Sequence, residues 1–340
     1  MFSVIIPVYN HELYLRQAVL SAARSRLVTE VLLLDDGSTD GSYDIVRELS
    51  SGALDRVRDL TPKPRTNRGA HVCLNRLAAA AQCEWVAVLN SDDTFTADRF
   101  EVIERRLRTA KADLIFGDLL VVDENGRQLG VKNGPFHPQY PFPANLAVEP
   151  LIAAGRWAEL LGNQNFIATT SNMLFRKSLF EKLDGFMAYR YIHDWDFALR
   201  AALRGKALYV PHPLTCYRVH GSNTIKESAS KVDEEVRKMF RSIQSDFPEL
   251  ASHKTMGISL AGNEYLNPPA RSGLSVSGPE SALCLKSIDG KISAAGGTGT
   301  FCYAPSDPLH MLSPQHLQNA LLGLAFQDLD FILVSHSLAD

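Results

Sequence analysis

The feature that most constrains this chain is a regular alternation over residues 1 to 120. Short, nearly continuous apolar runs take turns with segments whose apolar residues recur at helical spacing. FSVIIPVY, EVLLLDD and EWVAVLN are the apolar runs. Leu15, Val19, Ala22 and Ala23 mark one face of a helix after the first, and Ile45 and Leu49 mark a helix after the second. Leu74, Leu77, Ala78 and Ala81 do so before the third, and Phe100, Ile103 and Leu107 after it. Strands without polar alternation are strands buried on both faces, which is the condition of a parallel sheet covered by crossover helices.

Past residue 112 the pattern changes. An Asn125-Gly126 step between strand-like runs predicts a hairpin, so the sheet becomes mixed. The Pro-rich HPQYPFPAN is a loop. A helix is predicted over 147–161, another over HDWDFALRAALRG with Gly205 ending it, and two short strands in ALYVPHPLTCYRVH. Residues 227–246 form an amphipathic helix with Val232, Val236, Met239 and Ile243 on one side. The composition then shifts through NPPARSG into Gly- and Ser-rich sequence with apolar patches such as SALCLKSI and FILVSHSL. The predicted organisation is a domain over 1–246, a linker over 247–272, and a small β-rich appendage or the start of a further domain over 273–340. The fold class is α/β, a Rossmann-like mixed sheet flanked by helices.

Several classes of function are disfavoured at once. A net charge of -3 without a Lys/Arg block gives no pull toward nucleic acid. Five scattered cysteines with no C-x-x-C pair indicate neither a zinc site nor a disulfide framework. The start MFSVIIPVYN lacks the form of a signal peptide, and no window approaches the about eighteen apolar residues of a membrane span, so the expected location is cytoplasmic. G-x-G-x-x-G and G-x-x-x-x-G-K-[ST] are both absent, which disfavours a nicotinamide cofactor or an ATPase site.

In open α/β sheets ligands bind beyond the carboxyl ends of the strands, and three polar motifs sit at such ends. After the first strand, Pro7, Tyr9 and Asn10 offer a ring face and an amide to a base, although a polar turn alone would look the same. After the second, Asp35, Asp36, Gly37, Ser38 and Asp40 combine helix-capping chemistry with a carboxylate able to hold a ribose hydroxyl or a base N–H. After the third come Asp92 and Asp93. Adjacent carboxylates repel, so both face water or a cation lies between them and something more negative.

SVIIPVYN, VLLLDDGSTDGS, NRGAHVCLN and VAVLNSDD, in this order, resemble the N-terminal halves of the inverting family-two nucleotide-sugar glycosyltransferases, which have the GT-A fold. The resemblance covers about residues 1–225. It implies that residues 1–110 bind the nucleotide and 111–246 hold the acceptor and base. It makes Asn90, Ser91, Asp92 and Asp93 the so-called DxD region, contacting the sugar nucleotide and a divalent metal, Mn²⁺ or Mg²⁺, with Asn90 standing where Asp is commoner. It adds Asn67, Arg68 and Gly69 as a nucleotide-facing loop, joining Pro7, Tyr9, Asn10, Asp36 and Ser38, and puts Asp194 of HDWDFALR at the catalytic base. His220 of CYRVHGSN becomes a metal ligand beside Asp92 and Asp93. Trp157 and Trp195 are candidates for stacking on sugars, with burial as the ordinary alternative. Asp196 is expected to be structural. The implied partners are a nucleoside diphosphate sugar, with UDP-sugars favoured, and a glycan or lipid-linked saccharide acceptor of bacterial surface polysaccharide synthesis. The implied location is the inner face of the plasma membrane, through peripheral association. The rivals are a sugar-1-phosphate nucleotidyltransferase, whose phosphate loop after the first strand is missing here, and an inactive glycan-binding or scaffold module.

Overall fold

The computed structural model describes residues 1–135, 148–221 and 229–247, with four short strands between 275 and 302. The chain divides into two units, Met1–Phe136 with Val148–Leu260, and His137–Ala147 with Ala261–Asp340.

The first unit begins as the alternation predicts. In chain order it contains β1 (Phe2–Val8), α1 (Leu15–Ala23), β2 (Val28–Asp35), α2 (Ser42–Glu48), β3 (Val57–Asp59), α3 (Ala70–Ala80), β4 (Trp85–Val88), β5 (Thr94–Phe95) and α4 (Arg99–Leu107). It continues with β6 (Leu114–Val122), β7 (Gln128–Lys132), α5 (Val148–Ala153), α6 (Trp157–Leu161), β8 (Leu174–Arg176), α7 (Lys177–Lys182), α8 (His193–Arg204), β9 (Ala207–Arg218) and α9 (Ala229–Asp246). The strands form one nine-stranded sheet in the order β3-β2-β1-β4-β8-β6-β9-β5, with β7 paired to β6.

β1 runs parallel to β2 and β4, with Val8 opposite Asp35 and Ile5 opposite Val88. All three strands therefore release their polar ends at one edge of the sheet. Both faces are covered: Val4, Ile6 and Val8 pack with Leu15, Val19 and Ile103, while Ile5 between them is equally buried and lies outside that cluster. This is why the apolar runs do not alternate. β8 runs antiparallel to β4 and β6, and β6 runs parallel to β9.

Three details differ from the sequence-based expectation. β3 and β5 are too short to leave an apolar run. The helix expected over 147–161 is two helices, separated at Gly155, whose φ of +67° ends the first. The two strands expected in ALYVPHPLTCYRVH are one, β9, whose register against β6 shifts on both sides of Asp118. Pro211 and Pro213 fall at that irregularity, where a residue without an N–H costs no ladder bond. The hairpin at Asn125-Gly126 is present, Asp123 Oδ1 accepting from Asn125 N and Arg127 N at 2.9 and 2.8 Å.

The loop HPQYPFPAN, most of the 247–272 linker and FILVSHSL lie outside the described residues. The second unit contains two antiparallel pairs, β10 (Ser275–Val276) with β13 (Phe301–Cys302) and β11 (Cys284–Ile288) with β12 (Lys291–Ala295). Among the described residues no helix is long and apolar enough to cross a membrane.

Candidate active site

The loops after β1 and β2 are stitched together by short polar side chains. Asn10 adopts φ +53°, donates its N–H to Ser38 Oγ at 3.0 Å and accepts from Thr39 N at 2.8 Å. Asp35 is buried, and its Oδ2 accepts from Gly37 N, Ser38 N and Arg65 Nη1. Asp36 accepts from Arg68 N at 2.8 Å and Gly69 N at 2.9 Å, one bond to each oxygen. The Asn67–Arg68–Gly69 loop is thus brought to the strand edge by Asp36. Gly37 makes room for it: φ is +79°, and a Cβ there would lie 2.8 Å from Asn67 N. Pro7 lies within β1 opposite Leu34, and Tyr9 leaves 45% of its surface exposed at the loop.

Asp92 and Asp93 part company. Asp93 is 1% exposed; its Oδ2 accepts from Ser171 Oγ at 2.6 Å and its Oδ1 from Arg218 N at 2.8 Å. Burial, with the neighbouring Asp92 charge, pushes its carboxyl well above the usual range. Arg218 completes the anchor by donating to the carbonyls of Asp92, Asp123 and Glu124. Asn90 also faces inward: its N–H bonds Ser171 Oγ, its amide Nδ2 bonds Thr169 Oγ1, and its Oδ1 accepts from Thr170 Oγ1.

Asp92 turns the other way. Its Oδ2 lies 3.0 Å from His220 Nε2 and 3.8 Å from His11 Nε2. Burial alone would raise its pKa, but the His220 hydrogen bond and the two imidazoles outweigh it and hold the carboxyl below the usual range. Burial lowers the His11 pKa, against the opposing Asp92 charge. One ligand atom from each of His11, Asp92 and His220 lies within 4.8 Å of the others. Two imidazole nitrogens and a carboxylate oxygen at that separation suit a divalent ion. Ser91 is buried with its Oγ 2.8 Å from His11 Nδ1.

Across the edge, Asp194 is 7% exposed in the first turn of α8, with Oδ2 accepting from Asn165 Nδ2 at 3.1 Å and Oδ1 from Trp195 N at 2.7 Å. Tyr217 lies near the end of β9, next to Arg218. Burial raises its phenol pKa first, and the charges of Asp93, Asp92 and Asp194 all add to the effect. Asp196 is spent elsewhere, accepting from Arg200 Nε and Nη2 at 2.9 and 2.5 Å, while Arg200 also donates to the carbonyls of Leu183 and Gly185. Trp157 and Trp195 are 5% and 1% exposed, and Trp195 Nε1 donates to Leu161 O, so neither offers a sugar a ring face.

The geometry therefore gathers Asp92 and His220, while Asp194 is held by Asn165 and Trp195 N. It turns Asp93 and Asn90 inward, and it commits Asn10, Asp36 and Ser38 to holding loops. His11 was missed as a site residue, although PVYNH places it one residue after Asn10. Thr169 and Ser171 carried no sequence signal.

A family model described as Glycosyl transferase family 2 matches residues 3–184. Asp194 and His220 lie beyond that span. An uncharacterized glycosyltransferase of Nostoc sp. is 28% identical over 241 residues, 69% of this chain and 70% of the relative. An uncharacterized protein of Mycobacterium tuberculosis is 27% identical over 225 residues, and the match spans 64% of this chain but only 58% of the relative's length. Among solved structures, S. aureus TarS in complex with UDP-GlcNAc aligns with a TM-score of 0.57 at 20% identity, covering 77% of this chain and 73% of TarS. That likeness is one of fold, the GT-A arrangement of a mixed sheet flanked by helices.

Proposed function

This chain belongs to glycosyl transferase family 2, and from that premise we propose that it moves one sugar from a UDP-sugar to a hydroxyl of a glycan or lipid-linked saccharide, with inversion and with a divalent ion. The observation that carries this reading is the 3.0 Å contact of Asp92 with His220 at the turn after β4, beside strand ends whose loop is held by Asp36. A fold neighbour bound to UDP-GlcNAc supports the choice of a UDP-sugar.

In this reading the Asp36-held loop and the ring of Tyr9 receive the nucleoside. Asp92 and His220 hold the ion, and Asp93 anchors the turn that presents Asp92. When bound, Mn²⁺ or Mg²⁺ offsets the negative charge that develops on the departing nucleoside diphosphate. Asp194, oriented by Asn165 and Trp195 N, takes the proton of the acceptor hydroxyl. The acceptor oxygen bonds the anomeric carbon from the face opposite the breaking bond to the diphosphate, so one displacement inverts the centre. The reaction belongs in this reading to bacterial surface polysaccharide synthesis at the inner face of the plasma membrane.

Thermal shift with UDP tests the donor half. UDP should stabilise the protein more with MnCl₂ or MgCl₂ than with EDTA, and Asp92→Asn should remove the difference. Equal stabilisation in EDTA and in the variant would overturn the metal-dependent reading. Donor hydrolysis under the same conditions separates an enzyme from an inactive module.

A further inference from the structure

We infer that His11 is a third protein ligand, so that the ion is held by two imidazole nitrogens and one carboxylate oxygen and is a transition-metal ion in preference to Mg²⁺. The inference rests on the metal-dependent reading above and adds what that reading leaves open, which ion binds and through which atoms.

The placement of His11 is built from several sides. Its N–H donates to Ser42 Oγ at 2.9 Å, and its carbonyl accepts from Tyr14 N and Leu15 N at 3.0 and 2.9 Å, so its backbone is fixed at the entry to α1. Its ring nitrogens then have separate tasks. Nδ1 lies 2.8 Å from Ser91 Oγ, and Nε2 faces Asp92 Oδ2 at 3.8 Å. A neutral imidazole that donates Nδ1–H to a hydroxyl carries its lone pair on Nε2, which is how an outer hydrogen bond orients a histidine toward a metal. The 3.8 Å separation exceeds a hydrogen bond and is less than twice a metal–ligand bond of roughly 2.0–2.2 Å, so both atoms can reach one ion.

His220 approaches from another direction. Its Nε2 is 3.0 Å from the same carboxylate oxygen, and the two imidazole rings stand 5.7 Å apart at 90°. Two nitrogens and one oxygen therefore converge from three elements: the loop after β1, the turn after β4 and the end of β9. Imidazole donors suit first-row transition ions, whereas Mg²⁺ takes oxygen ligands and keeps several waters. A site meant for Mg²⁺ gains little from two histidines.

The test uses the full chain, stripped with EDTA and then loaded with MnCl₂ or MgCl₂, each alone and with UDP. Pulsed EPR of the Mn²⁺ form, with and without ¹⁵N-histidine labelling, should show coupling to two imidazole nitrogens. His11→Ala should show one, with Mn²⁺ affinity falling by roughly tenfold or more and Mg²⁺ affinity changing far less. Ser91→Ala should produce a smaller fall in Mn²⁺ affinity with both nitrogens kept. The parent spectrum decides the matter even if His11→Ala fails to fold. Mn²⁺ bound with no nitrogen coupling, or with His220 alone, overturns the role of His11 and leaves metal-dependent transfer standing. If neither ion binds and donor hydrolysis proceeds in EDTA, both readings fall together.

Discussion

The edge where β1 and β2 end is built differently from the turn that follows β4. At the first, Asn10 reaches Ser38 and Asp36 reaches Gly69, partners separated by 28 and 33 residues. At the second, Asp93 is held by Ser171 and Arg218, which are 78 and 125 residues away, and Asp92 meets His220 at a separation of 128. The first region is made of neighbouring βα units whose loops dock on each other. The second exists only once β8 and β9 have joined the sheet on the far side of β4. The first region is therefore closed between neighbouring βα units, whereas the second is assembled by pairing across the chain.

The sharpest separation of the two regions concerns Asp194. A group that acts only on the acceptor proton contributes in the transition state, so its loss should leave donor binding alone. Asp194→Asn keeps the size of the side chain and can still meet Trp195 N, but it does not accept a proton at neutral pH. Removing a general base typically costs roughly a hundredfold to ten-thousandfold. The rate of transfer should fall by that amount while UDP affinity stays within about twofold. Near-parental transfer would place the base elsewhere and dissolve the division of labour.

A second effect, on stability, should belong to α8. Arg200 is 4% exposed and satisfies Asp196 together with the carbonyls of Leu183 and Gly185, fixing α8 against the turn before it. Arg200→Met leaves a buried carboxylate and two carbonyls without this partner, and breaking a buried pair in this way costs about 3–5 kcal/mol. Asp196→Leu in the same chain should recover part of the loss, because it removes the stranded charge. Denaturant unfolding of the single and double variants measures both. Additive losses would show that the pair is not the tie it resembles.

How much of this was legible in the sequence follows from the same contrast. FSVIIPVY, EVLLLDD and EWVAVLN announce parallel strands because burial on both faces suppresses alternation, and the polar motifs at their ends come together at one edge of the sheet. The roles of Asp92 and Asp93 were not separable, since adjacent residues at a strand end share every local signal. Their different fates depend on Ser171 and Arg218, whose nearness to them is set by strand order. His11 was visible as a residue and invisible as a donor for the same reason: its partners Ser91 and Asp92 stand 80 and 81 positions later. The single strand β9 was hidden because Pro211 and Pro213 ordinarily end a strand, and only the bulge opposite Asp118 lets them stay within one.

The smallest of the three effects tests the loop after β2 at Gly37. Its φ of +79° lies where a side chain is strained, and a Cβ would come within 2.8 Å of Asn67 N and 3.0 Å of Thr66 C. Both neighbours are backbone, so relief requires the Asn67–Gly69 loop to move off Asp36. Holding a non-glycine residue in such a conformation costs of order 1–3 kcal/mol. If the loop relaxes, Gly37→Ala should show less than this in unfolding experiments and express the remainder as weaker UDP binding, with the unfolding of the Asp196–Arg200 region unchanged. Calorimetric UDP affinity and the denaturant midpoint, measured on one preparation, divide the two contributions. Unaltered UDP affinity together with the full stability loss would mean that the loop serves the fold and does not touch the nucleotide.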